Sequence, residues 1–366
     1  MKLSLSRIMI ALLAFAGTAF ASDLDLQQLN GLENRVEFWK KVYTQYGKDD
    51  VILHDRMNVH LIYDVVSDDN VKSKTALVKQ GLQEIAANFN TPESLSLPAR
   101  QIHSAIVKSG IPISASTIEQ LRDNIHTQRG IKERFRDGIV RSGLYLDSIR
   151  ETFEKEGLPP AIALLPLVES SFENRAYSKA GAAGIWQFTR GTGRMYMKVS
   201  GKVDERLDPA KATRAAARLL RDNYKALGSW PLAITAYNHG RAGMVRAKEA
   251  AGPELPAIID NYRGRLFGYA SANFFSEFVA AVQVYENYTQ HFGELVLDKP
   301  GAPARATAVA ATRRQATPAA SDKYKIRSGD TLERIARRFD TTIRQLMAKN
   351  NLRNATIYAG QIIAIE

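Results

Sequence analysis

The feature that most limits how this chain can fold lies near its end. From Asp298 to Lys323 the sequence is largely Ala, Thr, Pro and Arg with no hydrophobic period. Such a stretch cannot bury a core and reads as a flexible linker, residues 298–323, whose coil reach is roughly 30 Å. It divides the 366 residues into a long body and a small C-terminal module, residues 324–366. With 45% hydrophobic and 24% charged residues, both parts have the make-up of folded protein, and the length suits two or three domains.

The chain has no cysteine, which excludes disulfides, thiolate nucleophiles, iron–sulfur clusters and a lipid-modified cysteine. Lys2 and Arg7 precede an apolar run from Ile8 to Ala16 that ends in Ala19-Phe20-Ala21, the form of a secretory signal, residues 1–21, cleaved after Ala21. The run is shorter than the ~20 apolar residues a membrane span needs, and none of that length follows. No transmembrane anchor is expected after cleavage. The net charge of +12 favours encounter with acidic polymers but is a weak sign of nucleic-acid binding, and no nucleic-acid partner is expected. An exported, cysteine-free, basic protein points to a bacterial periplasm or cell wall, where the abundant polymer is peptidoglycan.

Residues 22–144 place apolar groups at helical spacing, as in Leu82, Ile85 and Phe89, and predict a helical N-terminal region. Val51-Ile52-Leu53 and Val59 to Tyr63 are short enough to be strands and are left open. His54, His60, His103 and His126 are scattered without ligand spacing, so no metal is expected. Residues 145–297 are again helical, with glycines dense at Gly181 to Gly193 and Gly240 to Gly243, where loops need unusual backbone angles or close approach to a ligand. The whole reads as mainly α.

The most informative segment runs from Pro159 to Phe172. Pro159 and Pro160 suit a first helical turn, and Ile162, Leu164, Leu165, Leu167 and Val168 fall on all sides of the helix, which predicts burial, with a bend at Pro166. Glu169 ends this run. Desolvation there raises the pKa of a carboxyl group toward working pH, as a general acid requires. No second acid shares that setting: Glu173 follows one turn on, and Asp204, Glu205 and Asp208 lie in a polar loop.

Glu169-Ser170-Ser171-Phe172, then Ser178-Lys-Ala-Gly181-Ala-Ala-Gly184-Ile-Trp186-Gln187-Phe188, then Ala236-Tyr237-Asn238-His239-Gly240 resemble the soluble-lytic-transglycosylase family, of the lytic murein transglycosylase D type. Glu37-Phe38-Trp39-Lys40 and the helical lead-in share that likeness. In the C-terminal module, Tyr324-x-Ile, Gly329-Asp330-Thr331-Leu332, Asn351-Leu352 and Gly360-Gln361-Ile-Ile are similar to the LysM family, in the order β-α-α-β, with caps expected at Asp330 and Thr342.

The resemblance implies an α-helical, lysozyme-like domain that needs no cofactor. It implies that Glu169 protonates the glycosidic oxygen between N-acetylmuramic acid and N-acetylglucosamine, and that its carboxylate then takes the proton of the sugar's own 6-hydroxyl, leaving a 1,6-anhydro end. It implies substrate contacts from Ser170, Ser178, Trp186, Gln187, Tyr237 and Asn238. In the LysM module it implies a groove for N-acetylglucosamine-containing glycan at Gly329, Asp330, Thr331, Asn351 and Leu352. Peptidoglycan glycan strands are the expected partner. Where related enzymes carry E-T-x-x-Tyr-Val, this chain has Ala270-Ser271-Ala272-Asn273-Phe274-Phe275, so the expected tyrosine is missing near Phe274. Two other readings stand beside the lyase: a goose-type-lysozyme-like hydrolase on the same scaffold, favoured by a carboxylate facing Glu169, and a weakly active wall-binding protein.

Overall fold

A computed structural model describes residues 29–301 and, in the C-terminal module, residues 323–326, 330–332, 335–336, 339, 341–352, 354, 356–358 and 360–365. The expected signal and nearly all of the linker lie outside the described residues.

The body is one compact unit. Helix α1 (Glu33–Thr44) buries Val36, Phe38, Trp39, Val42 and Tyr43. It packs along α13 (Tyr269–Glu286), whose Phe274, Phe275, Phe278, Val279 and Val282 face the same core. That core also takes in Phe135 and Ile139 of α5 (Lys132–Ser142), Ile149 and Phe153 of α6 (Leu146–Lys155), and the alanine-rich face of α9 (Pro209–Leu227). Leu232, Ala233 and Ile234 of α10 (Trp230–His239) complete it. No break in the core falls at residue 144, because α1 and α5 belong to it as fully as the helices that follow.

Three short strands interrupt the helices. Strands β1 (Val51–Asp55), β2 (Ile62–Val66) and β3 (Ile125–Arg129) form an antiparallel sheet ordered β2-β1-β3, in a register that sets His54 opposite His126. Helices α2 (Val71–Ala87), α3 (Leu97–Lys108) and α4 (Ala115–Asp123) form a second small core through Val78, Leu82, Ile85, Ile102, Ile106, Ile118 and Leu121. Ser96 and Ser114 cap α3 and α4, accepting from Ala99 and Thr117 N–H.

Pro166 differs from its expected place. Instead of bending one long helix, it sits in the first turn of a new one: a 3₁₀ segment, Pro160–Leu164, hands over to α7 (Leu165–Glu169). A proline inside a helix lacks a donor and clashes with the carbonyl one turn back, whereas at a helix start neither penalty applies. Short helices α8 (Arg190–Tyr196), α11 (Arg241–Ala251), α12 (Leu255–Asn261) and α14 (Tyr288–Phe292) fill the remainder. No helix of the described residues is long and apolar enough to cross a membrane.

The C-terminal module is a second unit with its own core of Ile326, Leu332, Ile335, Ala336, Leu346 and Ile363. Strands β4 (Lys323–Lys325) and β5 (Ile362–Ala364) pair antiparallel. Helix Ile343–Lys349 starts on the expected cap: Gln345 N–H donates to Thr342 Oγ1 while the Gln345 side chain accepts from Thr342 N–H.

Candidate active site

Glu169 is the last residue of α7, half-buried at the end of a helix anchored in the core by Leu165 and Leu167, which are 0% and 2% exposed. Beyond it the backbone turns sharply. Ser171 and Phe172 take φ of +53° and +57°, a left-handed conformation that costs a non-glycine residue ~1–2 kcal/mol. The turn is held from several sides. Phe172 N–H donates to Pro166 O at 3.1 Å, Ser170 Oγ to Ile185 O at 2.8 Å, and Arg141 Nε to Ser171 O at 2.9 Å. Phe172 is fully buried, and Gly138 of α5 lets Ser171 approach, since a Cβ there would lie 2.8 Å from the Ser171 Cβ. Packing thus fixes where the glutamate stands.

Its carboxyl group is pushed up to about 8, by burial first and by the charge of Glu277 second. Glu277, on α13, is itself raised to about 8 by burial. The sequence reading missed it, although Phe275-Ser276-Glu277-Phe278-Val279 carries the same signature as Glu169: one carboxylate inside an apolar run. The other acids considered from sequence are committed elsewhere. Asp204, in the polar loop, forms a two-point ion pair, at 2.8 and 2.6 Å, with Arg206, whose side chain is 1% exposed. Glu205 pairs with Lys211, and Asp208 caps α9. Glu173 is exposed.

The loop 176–188 borders the site. Arg206 clamps it, donating Nη1 to Gly181 O and Phe188 O at 2.8 and 2.9 Å. Gly184, at φ +81°, lies so close to Arg206 that a Cβ would sit 2.0 Å from the Arg206 carbonyl oxygen, and no other residue fits. Ser178 is exposed, with Oγ accepting from Ala182 N–H at 3.0 Å. Gln187, at φ +47°, donates its amide to Gly184 O and Ala176 O, so the side chain braces the loop. Tyr237 donates to Trp186 O at 2.8 Å, and its phenol is held well above its usual pKa by burial and by the Glu169 charge. A phenol on α10 therefore lies near enough to Glu169 for their charges to interact, while Phe274 is buried in the core. Asn238 is exposed and accepts from Ser271 Oγ at 3.1 Å.

Two expected substrate contacts are corrected by burial. Trp186 has no exposed surface, lies against Phe153, and donates its indole N–H to Thr213 Oγ1 at 2.9 Å. Ser170 is 1% exposed. Neither presents a face to a sugar; both hold the turn and loop in place. In the C-terminal module, Gly329 lies outside the described residues. Asp330 accepts from Tyr324 OH at 2.8 Å, Leu352 packs on the module's core, Asn351 takes a left-handed turn at φ +52°, and Thr331 and Asn351 are exposed. Among the described residues no group of three or more His, Asp or Glu is arranged to hold a metal ion.

Residues 148–257 match the Transglycosylase SLT domain family and residues 324–366 the LysM domain family. The chain is homologous to membrane-bound lytic murein transglycosylase D of Escherichia coli (strain K12), at 34% identity over 143 residues, which is 38% of this chain and 31% of that protein. A protein of Alteromonas sp. (strain M-1) named for tributyltin chloride resistance is 38% identical over 110 residues, 30% of this chain and 53% of its own length. The chain thus spans about a third to a half of these relatives. A crystal structure of an inactive mutant of lytic transglycosylase Slt from Pseudomonas aeruginosa aligns with 60% of this chain and 38% of its own, at 15% identity and a TM-score of 0.33.

Proposed function

We propose that this chain, which carries an SLT domain and a C-terminal LysM domain, is a peptidoglycan lytic transglycosylase of the periplasm or cell wall, with Glu169 as its one acid and base. The observation that supports this best is the carboxyl group of Glu169, held at about 8 by burial at the end of α7. At neutral pH it keeps its proton and can deliver it to the glycosidic oxygen as the C1–O bond breaks. The carboxylate left behind takes the proton of the muramoyl 6-hydroxyl as that oxygen closes on C1. The acid is restored, no water is consumed, and the product ends in 1,6-anhydromuramic acid. An attacker already attached to the ring has a large effective-concentration advantage over water.

Glu277 favours a second reading, hydrolysis, because glycosidases that use water usually work with a carboxylate pair. The pKa of Glu277 weighs against it. A base for water must be ionised, and a carboxyl group pushed up to about 8 is mostly protonated at neutral pH. Ser178, Gln187, Tyr237 and Asn238 line or brace the substrate site in this reading, and the LysM module, through Thr331 and Asn351 with their neighbours, holds the enzyme to N-acetylglucosamine-containing glycan.

The test is the product. Muropeptides from digested sacculi should be lighter by one water than lysozyme products, and Glu169→Gln should abolish their release, a loss of at least ~10²–10⁴-fold. Predominantly reducing muramic ends would assign hydrolysis instead.

A further inference from the structure

A cavity of about 260 Å³ opens between α1, the loop after β1 and the segment joining α12 to α13. Arg35, Arg56 and Arg263 line it, with Tyr262, Phe267 and Tyr269 as aromatic walls, and no carboxylate lines it. Arg35 is 8% exposed, yet its guanidinium meets only neutral acceptors: Asn273 Oδ1 at 3.0 Å and Met57 O at 2.6 Å. Arg263 donates to the main-chain carbonyls of Ile259, Asp260 and Tyr262. None of the three arginines forms an ion pair among the described residues.

The acids whose charges act on Arg35 are Asp260 and Asp55. Asp260 is exposed and outside the lining. Asp55 is buried and accepts from Met57 N–H and from Asn58, and no ion pair joins it to Arg35. The N-terminal end of α13, at Gly268 and Tyr269, opens into the same cavity and adds the positive end of its dipole. A buried cation with no direct ion-pair partner is costly, and an entering anion relieves that cost.

The cavity is built before any ligand arrives. His54 Nδ1 lies 2.9 Å from Asp55 O, which makes it the donor and leaves Nε2 to accept from Tyr269 OH at 3.3 Å. His126 packs on the Tyr269 ring at 4.1 Å. On one side Ala272 lines the cavity, and its neighbour Ser271 donates to Asn238, a residue of the proposed substrate site. Along α13, Tyr269 and Glu277 are roughly 12 Å apart at 1.5 Å per residue. On the other side a second cavity, of about 400 Å³, shares Met57, Asn124 and Arg263 and adds the neutral side chains of Thr117 and Gln120. That is room for an extended chain with amide groups, which a bare phosphate does not need.

We propose that this arginine cavity binds the free carboxylate of a peptide stem, and that the protein therefore acts on glycan strands that still carry acidic peptides. The proposal rests on the peptidoglycan reading above for the strand, but not for the cavity, and the two can be tested apart. Binding of L-alanyl-D-glutamate, its doubly amidated counterpart and inorganic phosphate to the full chain is measured by calorimetry, for wild type and for Arg56→Gln with Arg263→Gln. Both of these side chains are exposed, so the fold should survive. The acidic dipeptide should bind, and the double variant should bind it at least about tenfold more weakly, as expected for lost charge-assisted hydrogen bonds. Cleavage of stem-bearing strands is then compared with cleavage of amidase-stripped strands, which expose only the lactyl carboxylate. The ratio of kcat/KM for the two should fall at least fivefold in the double variant. Equal binding of the acidic and amidated dipeptides, tighter binding of phosphate, or a preference for stripped strands would each overturn the proposal. A wild-type protein that binds the dipeptide but cuts no strand would sink the enzymatic reading and leave the cavity assigned.

Discussion

At Glu169 the proton is held by burial first and by the charge of Glu277 second, and substitution separates the two. In Glu277→Gln the neighbouring negative charge can no longer form, so ionisation of Glu169 becomes easier. The alkaline limb of the pH–rate profile should move to lower pH, by up to about one unit, while Glu169→Gln should remove the activity that the profile describes. The same shifts bear on stability. A carboxyl group whose pKa rises from about 4.5 to about 8 on folding favours the folded state at acid pH, and that support is lost as pH climbs through 8. The melting temperature of the wild type should therefore fall between pH 6 and pH 9, and that of either glutamine variant should fall less. An unchanged slope would mean that the carboxyls are better solvated than their packing indicates. Glu169 was legible in the sequence because its apolar run immediately precedes it. Its neighbour was not, because Glu169 and Glu277 lie more than a hundred residues apart and meet only when α7 packs on α13. Trp186 misled for a related reason. An aromatic beside glycines suits a sugar platform, and only the closure of α6 and α9 over it, through Phe153 and Thr213, shows it to be core.

Among the elements, the loop 176–188 depends on one buried cation and one glycine. Gly184→Ala would force a methyl group to within 2.0 Å of a carbonyl oxygen at a backbone angle that alanine disfavours. It should cost about 3–5 kcal/mol in denaturant unfolding and loosen the loop that Gln187 braces. A cost under about 1 kcal/mol would show that the loop yields easily. The glycine pair Gly181 and Gly184 could be read from sequence as a turn, but the clamp on it could not, since Arg206 lies twenty-two residues on in a stretch that looks polar and solvated. Strand β3 was hidden in the same way. Ile125-His-Thr-Gln-Arg129 has no strong apolar alternation, and it becomes a strand because β1 offers it a partner edge. The buried face of α2, by contrast, was plain from the spacing of Leu82 and Ile85, although Phe89 falls beyond the helix end and is exposed.

The molecule as a whole divides more simply than its composition suggests. Removing residues 302–366 should leave a body that melts as before, because its core closes without them, and should reduce activity on whole sacculi more than on small soluble fragments. Removing residues 22–50 should instead leave an insoluble or unfolded body, because Phe38, Trp39, Val42 and Tyr43 would be missing from the face of α13. A folded, active product of that second truncation would contradict the single core. The pairing of α1 with α13 also sets a clock. Helix α1 is made more than two hundred residues before its partner, and at about 5–20 residues per second it waits roughly 10–45 s on the ribosome for α13 to emerge. Glu277 is delivered on that same late helix. The environment that keeps Glu169 protonated is therefore completed only when synthesis of the body is almost finished, so a nascent chain carries this carboxyl group long before the surroundings that raise it exist.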